Sequence, residues 1–207
     1  MVEPRRKRAN GEASRELILD AATEIAGERG YQGATINMVS ERCRLPASSI
    51  YWHFKDKDEL IAAVIERSFL RWIEVLDEPI AVSDDATPDE MFHIVLQRTG
   101  DAIVKFPDFL RLGLMLILER RPEELTARAK FVEVRHDTAE RVRKLYTMYF
   151  TALGTNEIES LVTLTLALAD GLFIASEVDQ IELRESFGLM ATAILGAARQ
   201  IEEDRQP

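Results

Sequence analysis

The sequence predicts an all-α protein, with an N-terminal three-helix domain containing a helix-turn-helix and a larger C-terminal helical bundle. Three observations carry this. Apolar residues recur at i, i+3 and i+4 spacing along almost the whole chain, while alternating Val/Ile/Thr runs bounded by turns are missing. Ten glycines and seven prolines among 207 residues leave few breaks, most of them between the periodic runs. With 46% hydrophobic and 30% charged residues, the chain can bury a sizeable core and is not compositionally disordered. A chain of this length suits one small domain joined to one medium one.

Residues 1–13 (MVEPRRKRANGEA) lack apolar periodicity, carry the basic run Arg5, Arg6, Lys7 and Arg8, and are expected to form a flexible arm. A first helix should follow from an N-cap at Ser14, with Leu17, Ile18, Ala21, Ala22, Ile25 and Ala26 on one stripe and Gly30 as a left-handed stop. Thr35 is the next N-cap, opening a short helix over residues 36–43 with Ile36, Val39 and Cys43 inward. Arg44-Leu45-Pro46 break it. Proline lacks only an N–H that a first helical position does not use, so Pro46 is expected to start a helix over 47–54. After Lys55-Asp56-Lys57-Asp58 a longer helix runs through Leu60, Val64, Ile65, Phe69, Trp72 and Ile73 to residue 77. Residues 78–87 read as a loop, and Thr87-Pro88-Asp89-Glu90 as a helix start with cap, N1 proline and first-turn acids. Further helices are expected over 91–105, 108–119, 123–150, 156–178 and 183–203, with breaks at Pro107, Arg121-Pro122, Gly154-Thr155 and Asp179. The expected organisation is an arm over 1–13, a helix-turn-helix domain over 14–58 and a second domain over 59–207.

Charge is distributed unevenly. The net charge is -10, yet residues 1–57 hold ten Lys/Arg and eight Asp/Glu, a balance of +2, and the remaining sixteen and twenty-eight leave -12 on residues 58–207. A weakly basic head on an acidic body fits a protein that presents one end to a polyanion, although the acidity of the body is equally consistent with solubility alone. The single cysteine, Cys43, excludes an internal disulfide and a Cys-rich zinc site and fits a reducing compartment. No signal-like apolar segment follows the basic start. The longest apolar stretch, residues 161–175, is interrupted by Asp170 and is short for a bilayer span, so a cytoplasmic protein without membrane contact is expected. There is no nucleophile with a base at motif spacing, no phosphate-cradling glycine loop and no Cys/His cluster. The expectation is therefore a non-enzyme without cofactor or metal.

The most specific pattern is helix, sharp turn, helix within residues 35–54, braced by a preceding amphipathic helix and followed by a lysine where the next helix begins. In a helix-turn-helix the first helix steadies the second, whose early residues approach base edges in the major groove. Small residues at that entrance, Ala47, Ser48 and Ser49, allow close approach; Ile50 and Phe54 face inward, and Tyr51, Trp52 and His53 outward, beside Lys55 and Lys57. Through ILDAATEIAGERGYQGAT and ATINMVSERCRLPASSIYWHFKDKDEL, about the first sixty residues, the sequence resembles the TetR (tetracycline-repressor-like) family of regulators. Tyr51, His53, Phe54, Lys57 and Leu60 stand in that family's order and spacing. The resemblance implies that Thr35, Tyr51, His53 and Lys57 hold DNA phosphates and that Ala47, Ser48, Ser49 and Trp52 face bases. It implies a repressor released from a palindromic operator in double-stranded DNA by a small-molecule effector. In two departures from the pattern, Arg44 stands where a turn glycine is usual and Pro46 where a Ser or Thr usually caps. The basic run at Arg5–Arg8 is either a minor-groove arm or a solvated tail.

In the second part, residues 161–175 are apolar all round the helix, which requires burial on two sides. The last helix carries Phe187, Met190, Ala191, Ile194, Leu195, Ala198 and Ile201 on one stripe, with Gly188 and Gly196 permitting close approach. These helices, over 156–178 and 183–203, are the candidate homodimer interface. Trp72, His93, Phe109, Met115, Tyr146, Asp170 and Phe173 are candidates for lining an effector pocket, where plain core is the competing reading. Asp170 stands out because a carboxylate in an apolar helix needs a partner, either another side chain or a ligand.

Overall fold

A computed structural model describes residues 3–81, 85–119 and 126–204, with side chains from residue 11 onward. Helices account for nearly all of it and no strand occurs among the described residues. They are α1 (Glu3–Gly33), α2 (Ile36–Cys43), α3 (Ala47–His53), α4 (Lys57–Asp77), α5 (Pro88–Lys105), α6 (Asp108–Leu118), α7 (Thr126–Tyr149), α8 (Thr155–Asp179) and α9 (Leu183–Glu203). The expected break at Arg121-Pro122 lies outside the described residues.

The chain divides into two compact units, one of Met1–Leu70 with Pro107–Glu133, the other of Arg71–Phe106 with Val134–Pro207. The sequence reading placed its boundary at 58/59; the division instead gives α6, the start of α7 and most of α4 to the first unit. The reason is long-range packing. Gly113 of α6 leaves no room for a side chain, because a Cβ there would lie 1.9 Å from the Phe131 ring of α7. Ser68 of α4 is buried and accepts the backbone N–H of Phe109 at 3.2 Å.

In the first unit, α1 packs on α2, α3 and α6 through Ile18, Leu19, Ala22, Ile25 and Ala26, all essentially inaccessible. Helix α1 begins at Glu3, so residues 3–13 are helical and continuous with it, where sequence analysis begins the helix at Ser14. Pro4 in the first turn is compatible with this, since its missing N–H would have no intrahelical partner there. Ser14 consequently lies inside the helix and is not an N-cap. Gly30 has the expected positive φ of 66° but ψ of -178°, which is not the left-handed cap; the helix kinks there and resumes to Gly33. A Cβ at Gly30 would fall 2.6 Å from Met115 Cε.

In the second unit, α9 packs against α5 and α8. Phe187, Met190, Ala191, Ile194, Leu195 and Ala198 are buried within one chain. The stripe that sequence analysis gave to a partner subunit is thus this unit's own core. Gly188 faces Gln97 of α5, whereas nothing lies within 4 Å of where a Cβ at Gly196 or Gly171 would be. The other side of the pair is apolar and open: Leu164 (39%), Ile174 (47%) and Val178 (72%) on α8, and Leu189 (72%) on α9, are exposed. Helix α8 is also long and apolar enough, by length and composition alone, to cross a membrane. Phe92, Tyr146, Tyr149 and Phe150 form an aromatic cluster with centroids 4.9–5.8 Å apart. Helix α5 starts on the expected capping box, with Thr87 and Glu90 exchanging side chain-to-backbone bonds.

Candidate nucleic-acid interface

The site is built around α2, the turn and α3. Thr35 caps α2, its hydroxyl oxygen accepting the Met38 N–H at 3.3 Å. That leaves the exposed hydroxyl its hydrogen to donate. Arg44 closes α2 in the left-handed region (φ 57°, ψ 31°). This is the backbone that the usual glycine adopts freely, and a side chain there costs about 1 kcal/mol. The Ser40 hydroxyl holds the turn by donating to the Leu45 carbonyl at 2.6 Å. Pro46 is the N-cap of α3, not its first residue, and makes no side-chain cap bond.

Helix α3 is divided cleanly. Ile50 and Phe54 are buried, whereas Tyr51 is 57% and Trp52 76% exposed. Ser48 is exposed, and Ala47 and Ser49 are half-buried. Arg42 ties α2 to α1 by ion pairs with Glu24 at 2.7 Å and Glu28 at 3.2 Å, which hold the Glu28 carboxyl below its usual range.

The predicted phosphate-binding residues are not equally accessible. Lys55 is exposed, but Lys57 Nζ donates to the Tyr31 carbonyl at 3.1 Å and sits 4.3 Å above the Tyr31 ring. Its neighbour Asp58 accepts the Tyr31 hydroxyl at 3.1 Å and the backbone N–H groups of Thr126 (2.5 Å) and Ala127 (3.3 Å), capping α7. His53 Nε2 lies 2.9 Å from Ser14 Oγ, and Trp52 packs edge-on against the His53 ring with centroids 4.6 Å apart. Burial, then the charge of Arg15, hold His53 below the usual histidine range. On the inner side of α4, Arg67 is largely buried and reaches Glu16, Asp20 and Thr23 of α1.

Sequence reasoning missed Ser14, Asp58 and Arg67. The sequence reads Ser14 as a cap, Asp58 only as part of the connection before α4, and assigns nothing to Arg67. Only their separation of 27 to 69 residues from their partners, invisible in a linear pattern, sets them apart.

The candidate effector residues divide between the units. Phe109, buried against Phe69 with centroids 5.7 Å apart, and Met115, beside Gly30, belong to the first. Trp72, His93, Tyr146, Asp170 and Phe173 belong to the second. Tyr146 and Phe173 are core residues. The Tyr146 hydroxyl is 2.6 Å from Thr165 Oγ1, and burial pushes its pKa up to about 12. Asp170 has its partner in Arg135, a two-pronged pair at 2.9 and 2.6 Å. Among the described residues no group of three or more His, Cys, Asp or Glu could hold a metal ion.

Comparison with known proteins agrees with this geometry. Residues 18–64 match the family model described as bacterial regulatory proteins, tetR family. The chain is 25% identical over 117 residues to a fatty acid metabolism regulator protein of Bacillus subtilis, covering 56% of this chain and 58% of that one. It is 23% identical over 154 residues to the negative transcriptional regulator of the biofilm operon icaADBC, IcaR, of Staphylococcus epidermidis, covering 73% and 80%. In structure it resembles the fatty acid degradation regulator FadR of Bacillus halodurans, with a TM-score of 0.70 at 13% identity over 87% of this chain and 94% of that one. The last likeness concerns the fold, and the chain spans less than two thirds of the Bacillus subtilis relative. Residues 18–64, which include the turn and all of α3, are similar to the tetR family of bacterial regulatory proteins.

Proposed function

We propose that this protein is a one-component transcriptional regulator, a repressor that binds a two-fold operator in double-stranded DNA as a homodimer and leaves it when a small-molecule effector binds. The outer face of α3 supports this most directly. A short helix that buries Ile50 and Phe54 while exposing Tyr51 and Trp52 presents aromatic surface to solvent, as a binding surface does. In this reading Ala47, Ser48, Ser49 and Trp52 face base edges, and Thr35, Tyr51, His53, Lys55 and Lys57 position the helix on phosphates. The match of residues 18–64 to the tetR family supports the same roles.

Footprinting on the DNA flanking its own coding sequence tests the reading. Tyr51→Ala and Lys57→Ala should weaken binding to every duplex, Lys57→Ala also flattening the salt dependence by about one counterion, whereas Ser48→Ala should change operator preference. An unchanged affinity and salt slope for Lys57→Ala would remove that lysine from the interface.

Dimerisation is assigned to the open faces of α8 and α9, with Leu164, Ile174, Val178 and Leu189 exposed and Gly171 and Gly196 allowing close approach. Two heads on a two-fold operator must meet half-sites about 34 Å, one turn of DNA, apart or a multiple of it. An effector binding among the helices after Leu60 would act through α4, which starts at Lys57 and ends at Asp77. An apolar or aromatic small molecule suits the lining in that part of the chain. Linkage then requires operator DNA to weaken effector binding by the factor by which effector weakens DNA binding. This activity is binding, not catalysis, and places the protein in the cytoplasm with its operator.

A further inference from the structure

Resting on the reading of α3 as the DNA-contacting helix, we propose that Ser14 fixes the tautomer of His53, and that His53 takes up one proton from solvent when it engages a DNA phosphate. Ser14 Oγ lies 2.9 Å from the Gly11 carbonyl oxygen and 2.9 Å from His53 Nε2. A serine hydroxyl has one hydrogen, and a carbonyl can only accept. Both contacts can be hydrogen bonds at once only when the hydroxyl hydrogen goes to Gly11 and the Ser14 oxygen accepts the hydrogen of His53 Nε2. This places the ring proton on Nε2 and leaves Nδ1 bare in the neutral ring.

A phosphate oxygen also only accepts. Neutral His53, with its one N–H held by Ser14, has no hydrogen to give it. Protonation at Nδ1 supplies one, keeps the Ser14 bond and adds a charge-assisted bond to the phosphate.

The surroundings favour the neutral ring until DNA arrives. The charged group facing the ring from α1 is Arg15, whose guanidinium lies 5.4 Å from the Phe54 centroid and 3.8 Å from Glu16. From α3 and the following turn the ring meets Trp52 at 4.6 Å and Phe54 at 6.1 Å, and the next charged residues, Lys55 and Asp56, are exposed. Burial and Arg15 both disfavour the imidazolium in the free protein; a phosphate beside Nδ1 favours it. The proton affinity of His53 is therefore lower in free protein than on DNA, and DNA affinity rises as pH falls between the two values.

The test uses the full-length protein and the duplex that footprinting protects, with affinity measured from pH 6 to pH 8 at constant ionic strength. The unmutated protein should gain up to about tenfold in affinity per protomer for each pH unit lowered. His53→Gln, which carries a permanent N–H donor, should lose that slope. Ser14→Ala releases the tautomer, so the neutral ring can carry its hydrogen on Nδ1, facing the phosphate, and its affinity at pH 8 should approach that at pH 6; Ser14→Thr, which retains the hydroxyl, should restore the slope. Nitrogen-15 NMR of the free protein, which has three histidines, should find the His53 proton on Nε2. A proton on Nδ1, a slope that survives His53→Gln, or a Ser14→Ala loss of equal size at every pH overturns the proposal. Protected DNA with a flat pH profile overturns it alone. Absence of any protected DNA overturns the DNA-contacting reading and this proposal with it.

Discussion

The two units hold their helices in different ways. In the first, side chains far apart in sequence form polar cross-links: Arg67 to Glu16 and Asp20, Asp58 to the start of α7, Lys57 to Tyr31, Ser14 to His53. In the second, the polar pairs Arg143–Glu159, Arg199–Asp89 and Arg184–Asp101 lie at the surface around an apolar and aromatic interior. Exposed pairs of that kind contribute little, about 0–1 kcal/mol each, so apart from the Arg135–Asp170 pair and the buried Tyr146–Thr165 bond the second unit rests on burial. The short helices α2 and α3, of 8 and 7 residues, cannot hold themselves. Their orientation has to be fixed by directional contacts, and an interface that must meet DNA at a set angle benefits from them.

The contrast is broken most severely in the interior of the second unit. Ile194→Asp places an unpaired charge at a site with no solvent access and should cost about 3–5 kcal/mol, seen as a large drop in thermal midpoint by circular dichroism. Leu189→Asp, on the exposed face of the same helix, should leave that midpoint within a few degrees at low concentration and yield monomers by sedimentation. Equal thermal loss in both variants would mean that the two faces of α9 are not distinct.

Next comes the close approach inside the first unit. Gly113→Ala drives a methyl group into the Phe131 ring, and overpacking of this kind costs about 1–3 kcal/mol; Phe131→Leu in the same chain should recover part of it in urea denaturation.

A smaller effect is expected at a polar cross-link. Asp58→Ala removes the acceptor for Thr126 and Ala127 N–H and, as the loss of a helix cap, should cost about 1 kcal/mol. Asp58→Asn should retain most of it. Hydrogen exchange at Thr126 and Ala127 should quicken in the Ala variant before global stability changes.

The smallest effect is electrostatic. Burial raises the Asp108 carboxyl above its usual range, offset in part by Arg111 and Arg67. A carboxyl raised on folding contributes stability that is complete below its unfolded value and lost as pH rises through the folded one. Asp108→Asn should therefore stabilise the protein slightly at pH 7, with the gain vanishing below about pH 4. In the opposite sense, Glu90 and Glu159 are held low, by the Thr87 backbone and by Arg143 respectively. Their contributions are lost as pH falls.

Periodicity and local chemistry determined the helices by themselves. The start of α5 at Thr87, the bounds of α2 and α9 and the end of α4 follow from neighbours within four residues, so a linear reading reaches them. The order of small, inward and outward residues along α3, and with it the likeness to the tetR family, is legible for the same reason.

What only the tertiary structure decided is which partner each face meets. The stripe through Ile194 has the same spacing whether it packs against α5 and α8 or against a second subunit. Asp170 needs a partner in either reading, and only folding supplies Arg135 across 35 residues. Ser14 suits a cap as well as a helix interior; its bond to His53 exists because α1 passes α3. Helix periodicity sets which residues share a face, from the fixed rotation per residue. What a face touches depends on contacts between segments distant in the chain, and no local spacing encodes them.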